Sequence, residues 1–150
     1  MNRKLVLPAG AVLLLLSGCA ASTPGEVSPA ATATTVPTSS GADAACSELG
    51  VPASLSYNAW NDFHQGTITA EQRNNDLTEA AGAFRAVDAS DVSGVQSALQ
   101  QVIDYIDASS PDASGQPYDP GTDEFFNLSS GLGTACADAG SELVVKAHGG

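Results

Sequence analysis

The fold is decided by residues 92–106, which read VSGVQSALQQVIDYI. One set of apolar residues recurs there at spacings of three, four, three and four, with polar side chains in between: Val92, Val95, Leu99, Val102 and Ile106. This spacing places the apolar side chains on one face of a helix. The sequence therefore predicts an amphipathic helix, with Ser90 or Asp91 as its N-cap and the SSP stretch at 109–111 as its end.

Three further helices are predicted on either side of this segment. Thr69 and Gln72 have the spacing of a capping box and precede a second apolar stripe, so a helix begins at Thr69. A helix over about 52–64 precedes it and is stopped by Gly66. The last helix covers about 122–139 and carries acidic residues near its positive N-terminal end.

The short turns at about 65–68 and 89–91 favour an antiparallel up-down arrangement. The predicted fold is thus all-α, a four-helix bundle. Four glycines lie inside its helices, where close helix contact or a kink in the fourth helix would account for them: Gly82, Gly94, Gly131 and Gly133. Each costs about 1 kcal/mol relative to alanine.

The charge of the chain is strongly negative. It carries 17 Asp and Glu against 5 Lys and Arg in 150 residues, a formal net charge of -12. Attraction to phosphate needs clustered Lys and Arg, so we expect no nucleic-acid partner. The length allows one domain of ordinary size.

Residues 1–18 have the three parts of a secretory signal peptide. Arg3 and Lys4 give a positive start, an apolar run of twelve follows over 5–16, and small residues come next. The run is shorter than the roughly 20 residues that a spanning helix needs. The sequence therefore predicts export rather than a transmembrane anchor.

The LSGC stretch at residues 16–19 resembles the lipobox of bacterial lipoproteins. The resemblance implies cleavage after Gly18, with a diacylglycerol and an N-acyl chain such as palmitate on Cys19. The chain would then be lipid-anchored on the extracytoplasmic face of the cell membrane. Ordinary cleavage near Ala20 or Ala21, with release of the protein, is the alternative.

A linker follows the lipidated cysteine over residues 19–42. It is rich in Ala, Thr, Ser and Pro and has no continuous apolar face to bury, so we expect it to be disordered. A plain spacer and a stalk with O-linked sugars both fit this composition. The helical domain is predicted over residues 43–150.

Two cysteines remain once Cys19 is acylated, and they form an even pair in an oxidising compartment. In an up-down bundle, the start of the first helix and the end of the fourth lie at the same end, where Cys46 and Cys136 fall. We therefore expect a Cys46–Cys136 disulfide. A closed loop of about 90 residues would stabilise the fold by roughly 4 kcal/mol.

The sequence offers no catalytic constellation. Its two histidines are His64, placed where a cation suits the end of the first helix, and His148, among the terminal residues that usually fray. No nucleophile elbow, P-loop or dinucleotide fingerprint is present. We expect no enzyme and no cofactor beyond the lipid on Cys19.

The long connection over 109–121 is the weak candidate for binding. Carboxylates cluster in and after it, and such oxygen ligands suit calcium: Asp112, Asp119, Asp123 and Glu124. Their spacing does not match the calcium loop, so a solvated acidic loop is the favoured interpretation and no metal is expected. Tyr118 either anchors a partner or folds back over the bundle.

The whole layout resembles that of small envelope lipoproteins of actinobacteria and their phages. It predicts a membrane-anchored, non-catalytic binding module in the cell envelope, whose partner is an envelope protein or a small ligand. An envelope-level inhibitor or phage-exclusion factor is one alternative. A calcium-dependent or enzymatic role of the acidic loop is another.

Overall fold

The computed structural model describes residues 40–148, and within this range the chain forms helices and no strand. The four helices are α1 (Ser40–His64), α2 (Ala70–Ala86), α3 (Ser93–Ala108) and α4 (Asp123–Asp138). The predicted signal peptide, Cys19 and the linker up to residue 39 lie outside the described residues. In the described part, no helix is long and apolar enough to cross a membrane.

Helix α1 begins well before the predicted start near Pro52 and takes in the last residues assigned to the linker. The added turns bury one face that is made largely of small side chains: Ala42, Ala45, Cys46 and Leu49. Alanine has the highest helix propensity, which favours this extension. Pro52 therefore lies inside the helix, where it is buried, although it lacks the N–H of a helical hydrogen bond.

The capping box at the start of α2 is confirmed. The Gln72 N–H donates to Thr69 Oγ1 at 3.2 Å, and the Thr69 N–H donates to Gln72 Oε1 at 2.9 Å. Each side chain thus satisfies a backbone donor that the first helical turn leaves without a partner.

The predicted N-cap of α3 is wrong. The helix begins at Ser93, after Val92, and neither Ser90 nor Asp91 caps it. Asp88 Oδ1 instead accepts the Ser90 N–H at 3.0 Å, and the Val92 N–H donates to the Ala89 carbonyl at 2.9 Å. These bonds form a separate turn before the helix.

The core lies between two helix pairs, α1 with α2 and α3 with α4. The predicted stripe of α3 is buried from Val95 to Ile106, whereas Val92 is only partly buried. The largest fully buried side chains include Phe84, Leu49, Leu77 and Leu132. The Cys46–Cys136 disulfide is present and joins α1 to α4 with the Cα atoms 5.9 Å apart.

The helical glycines do not mark close helix contacts. A Cβ atom at Gly82, Gly94, Gly131 or Gly133 would meet no neighbouring atom within 4 Å, so that expectation is wrong. Helix α4 runs through both of its glycines as one element. Close approach occurs elsewhere, at Gly50 and Gly121.

The chain turns back after α4. Gly140 has a φ of 79°, its N–H donates to the Ala137 carbonyl, and the Ser141 N–H donates to the Cys136 carbonyl. This is the Schellman pattern, in which glycine adopts the left-handed conformation without strain.

Residues 141–148 then lie along α1, and we call them the C-terminal strap. The His148 N–H donates to Asn58 Oδ1 at 2.9 Å.

Candidate functional site

An apolar pocket of about 240 Å³ opens beside the strap. Helices α1, α2 and α4, the connection before α4 and the strap all contribute to its walls. The lining residues are Ala53, Tyr57, Phe84, Pro120, Phe125, Phe126, Ser129, Ser130, Leu132, Leu143 and Val145. The set is mostly apolar and has few hydrogen-bonding side chains, so the apolar pocket suits a ligand group that water solvates poorly.

The mouth of the apolar pocket carries large side chains that remain exposed. Tyr57 is 45% exposed, Phe126 67% and Val145 44%. Single exposed apolar residues are ordinary, but a group of them around one pocket makes this surface a candidate for binding. The floor of the apolar pocket is formed by buried side chains, Phe84, Phe125 and Leu132.

Tyr118 lies behind this floor and not on the surface. It is 2% exposed, and its ring centroid lies 5.5 Å from that of Phe125. Ser56 Oγ donates its single proton to the Pro52 carbonyl at 2.8 Å, so the Tyr118 hydroxyl is the donor in the 2.7 Å bond to Ser56 Oγ. This placement agrees with the alternative in which Tyr118 folds back over the bundle, and it leaves the residue no surface to anchor a partner.

Burial raises the pKa of Tyr118 to about 12, because the phenolate would lose its hydration. The hydrogen bond with Ser56 opposes this effect but is the smaller of the two. Tyr118 is therefore a neutral packing residue at neutral pH.

The two other weak candidates, Asp119 and Asp123, are exposed. Asp119 Oδ1 accepts the Gly121 N–H at 2.9 Å, and Asp123 lies in the first turn of α4 after the Thr122 cap. The structure does not bring either carboxylate together with the hydroxyl of the buried Tyr118. Among residues 40–148, no group of three or more His, Cys, Asp or Glu side chains is arranged to hold a metal ion.

Asp112 forms several hydrogen bonds within the long connection over residues 109–121. Its Oδ1 accepts bonds from Ser114 Oγ at 2.6 Å, the Ser114 N–H at 2.8 Å and the Gln116 N–H at 3.0 Å. The bond from the Ser114 side chain, followed by that from the Gln116 backbone, lowers the pKa of Asp112. Arg73 donates to Ser114 Oγ at 2.7 Å and lies over the Phe63 ring, which fixes the connection to the helices.

The histidines have structural contacts in this part of the chain. His64 Nδ1 lies 2.8 Å from the Trp60 carbonyl, and the two rings are 4.4 Å apart. His148 is held through its backbone N–H. In residues 40–148, neither imidazole is hydrogen-bonded to a Ser, Thr or Cys side chain.

A second depression, the polar groove, lies on the other side of the strap and has a volume of about 540 Å³. It is lined by Ser47, Gly50, Val51, Ser54, Leu55, Asn58, Glu79, Glu142, Val144, Lys146 and His148. The strap therefore separates an apolar pocket from a groove with charged side chains.

Sequence reasoning missed the mouth of the apolar pocket. Periodicity selects Phe125 for the core, and its neighbour Phe126 then points about 100° away around the helix. The signal that was available is the pair of adjacent phenylalanines, since one of the two must face outward. The strap residue Val145 follows the last predicted helix and gave no periodic signal.

No protein-family model matches the chain, and neither a curated protein nor a solved structure matches it.

Proposed function

We propose that this chain is an exported lipoprotein that works as a non-catalytic binding module in the cell envelope. A diacylglycerol on Cys19 would hold it at the extracytoplasmic face of the membrane, and the linker up to residue 39 would separate the domain from the bilayer. The signal-like residues 1–18 and the LSGC stretch support the anchor. The Cys46–Cys136 disulfide supports export, because such bonds persist mainly in oxidising compartments.

We also propose the antiparallel up-down arrangement of the four helices. Cys46 lies in the second turn of α1 and Cys136 in the last turn of α4, and the disulfide holds these two ends together. The connections between α1 and α2 and between α2 and α3 are short, which favours antiparallel neighbours.

The observation that carries the binding role is the apolar pocket. Its 240 Å³ exceeds the roughly 150 Å³ of an engineered apolar cavity that binds benzene. The lining has no charged side chain, and the chain as a whole has a net charge of -12, which repels anions. The ligand is therefore a small apolar molecule that is neutral or positively charged.

Binding of a neutral naphthylamine probe tests this role. N-phenyl-1-naphthylamine becomes fluorescent when it leaves water, so we expect a saturable signal with the mature protein. Ala53→Phe places a ring in the apolar pocket and should weaken binding at least about tenfold, which corresponds to roughly 1.4 kcal/mol. Ala137→Phe is the matched control, since Ala137 is exposed on α4 and does not line the pocket.

An equal signal from the two phenylalanine variants would contradict the proposed ligand site. Circular dichroism would show whether Ala53→Phe retains its helices. This measurement is independent of the anchor.

The anchor is tested by metabolic labelling with radioactive palmitate. We expect Cys19→Ala to lose both the label and its membrane association, because that sulfur is the acceptor. Cys136→Ala should keep both, since its sulfur has a different role. Unchanged labelling of Cys19→Ala would refute the lipid attachment.

A further inference from the structure

Three residues of α1 lie against the backbone of the strap. Gly50, Ser54 and Asn58 are four residues apart, so they form one ridge along the helix. We call them the α1 ridge. Together they contact the backbone of Val144, Lys146 and His148.

Asn58 contacts the strap backbone with both ends of its amide. Its Nδ2 donates to the Lys146 carbonyl at 2.9 Å, and its Oδ1 accepts the His148 N–H at 2.9 Å. One amide thus satisfies a carbonyl and the N–H two residues further on. A neighbouring β-strand would offer the same donor and acceptor to an extended chain.

Ser54 and Gly50 complete the ridge. Ser54 Oγ donates to the Gly50 carbonyl, which leaves its lone pairs to accept the Lys146 N–H at 2.8 Å. At Gly50, a Cβ atom would lie 2.6 Å from the Val144 carbonyl oxygen, so only glycine lets the strap come this close. All of these contacts are with backbone atoms, and they do not depend on which side chains the strap carries.

The strap side chains alternate between the two sides. Leu143 and Val145 line the apolar pocket, whereas the polar groove is lined by Glu142, Val144, Lys146 and His148. This alternation is that of an extended chain. The polar groove also contains Glu79, an acidic neighbour for a basic side chain at the position of Lys146.

The strap is only lightly held by its side chains. Val144 is 52% exposed and Val145 44% exposed, and Leu143 is only partly buried. Release of the strap would expose little additional apolar surface. The backbone contacts with the α1 ridge therefore account for much of the attachment.

We propose that the α1 ridge is a docking site for an extended segment of a partner protein, with apolar side chains at the positions of Leu143 and Val145 and a basic side chain at the position of Lys146. In the isolated chain, the strap occupies this site in place of the partner segment. Backbone recognition by Asn58 and Ser54 would supply affinity, and the two depressions would select the side chains. The net charge of -12 favours a basic segment over an acidic one. This inference goes beyond the proposed function and requires neither the lipid nor an apolar ligand.

The attachment of the strap predicts weak binding by the intact chain. A segment tethered next to its site has an effective concentration on the order of millimolar, and a partner must compete with it. Release of the strap should therefore reveal the site.

The test uses the full-length mature chain with two proline substitutions, Lys146→Pro and His148→Pro. They remove the two N–H donors of the strap and leave the α1 ridge unchanged. The probe is a fluorescent synthetic peptide with the sequence of residues 141–148, SELVVKAH, and binding is followed by anisotropy. We expect the released chain to bind it at least about tenfold more tightly than the unsubstituted chain does, as expected for the loss of two hydrogen bonds.

Two further variants of the released chain test the recognition itself. Asn58→Ala should lose peptide binding, whereas Asn75→Ala, an exposed asparagine on α2, should retain it. A peptide with glutamate in place of its lysine should bind several-fold more weakly, because Glu79 lines the polar groove.

No gain of peptide binding in the released chain would overturn the proposal, and so would equal binding by the Asn58→Ala and Asn75→Ala variants. Equal affinity for the lysine and glutamate peptides would refute the preference for basic segments. None of these results bears on the naphthylamine or palmitate measurements. The docking proposal and the proposed function can therefore be refuted independently of each other.

Discussion

At the scale of the residue, the core contains hydroxyl groups that are fully paired. Tyr118 donates to Ser56, and Ser56 donates to the carbonyl of Pro52, four residues earlier on α1. Among the described residues, no buried side-chain nitrogen or oxygen lacks a hydrogen-bond partner. Buried polar groups that are paired in this way fix a single packing arrangement, because leaving one unpaired is costly.

Tyr118 predicts a loss of stability in alkali. Its pKa is about 12 in the folded chain against 10.0 for free tyrosine, so the unfolded chain gives up its proton first. The free energy of unfolding should therefore fall as the pH rises from 10 towards 12, by about 2 to 3 kcal/mol in all. Urea unfolding at pH 9, 10 and 11 measures the fall.

The matched control is Tyr118→Phe, which has no proton to lose at this position. At pH 7 it should be about 1 kcal/mol less stable than the unsubstituted chain, because the bond to Ser56 is gone. Its stability should then decline less between pH 9 and 11. Parallel pH profiles for the two proteins would show that Tyr118 does not keep its proton in the folded state.

At the scale of the element, N-terminal caps and glycines inside the helices affect how stable each helix is. α2 begins with a reciprocal cap between Thr69 and Gln72. α3 begins at Ser93, and its N-cap residue Val92 makes no side-chain cap bond, so the helix depends more on the burial of its apolar stripe. Helix starts with and without caps thus coexist in one small domain.

Removal of the cap on α2 should destabilise the protein. Thr69→Ala loses the oxygen that accepts the Gln72 N–H, and we expect a cost of about 1 kcal/mol. Thr78→Ala serves as control, since Thr78 lies within α2 and bonds back to the Asn74 carbonyl. Chemical denaturation should show a lower midpoint for Thr69→Ala only. A comparable loss in both variants would mean that the hydroxyl at the cap has no special role.

Alanine at the open helical glycines should stabilise the fold. Gly82→Ala and Gly131→Ala place a methyl group where no atom lies within 4 Å, so each should raise the free energy of unfolding by about 1 kcal/mol. Gly50→Ala should have the opposite effect, because its methyl group would press on the Val144 carbonyl. Thermal melting would separate the two classes, and a gain at Gly50 would contradict the close approach of the strap.

At the scale of the whole molecule, the disulfide and the strap both fasten later parts of the chain to α1. Cys136 bonds to Cys46, and the residues that follow Gly140 lie along the α1 ridge. Helix α1 is thus the element to which both the end of α4 and the carboxyl-terminal segment are attached. A domain of this size with few large side chains depends on such cross-links.

Loss of the disulfide should destabilise the protein by roughly 4 kcal/mol, because the bond closes a loop of about 90 residues in the unfolded chain. The variant with both Cys46→Ala and Cys136→Ala should unfold at much lower urea than the parent. A reducing agent should lower the midpoint of the parent and leave the variant unchanged. Unfolding of the parent at the same urea concentration with and without reductant would show that the bond is absent or contributes nothing.

The sequence determined the helices and the cysteine pair. A period of 3.6 residues identifies the buried stripe of α3, and the spacing of Thr69 and Gln72 locates the start of α2, because both signals are local. The start of α1 was not predicted correctly by these local signals. Pro52 resembles a first helical residue, but residues 40–51 ahead of it are also helical and bury one face in the core.

Only the tertiary structure decided the candidate site. Tyr57, Phe126 and Val145 come from three distant parts of the chain, and no local pattern predicts that they meet around one pocket. The same holds for Asn58, whose bonds reach residues 88 and 90 positions further along. Such contacts depend on how the helices pack and on the direction in which the chain leaves Gly140. The interactions that stabilise them involve many residues far apart in sequence, so no local pattern reveals them.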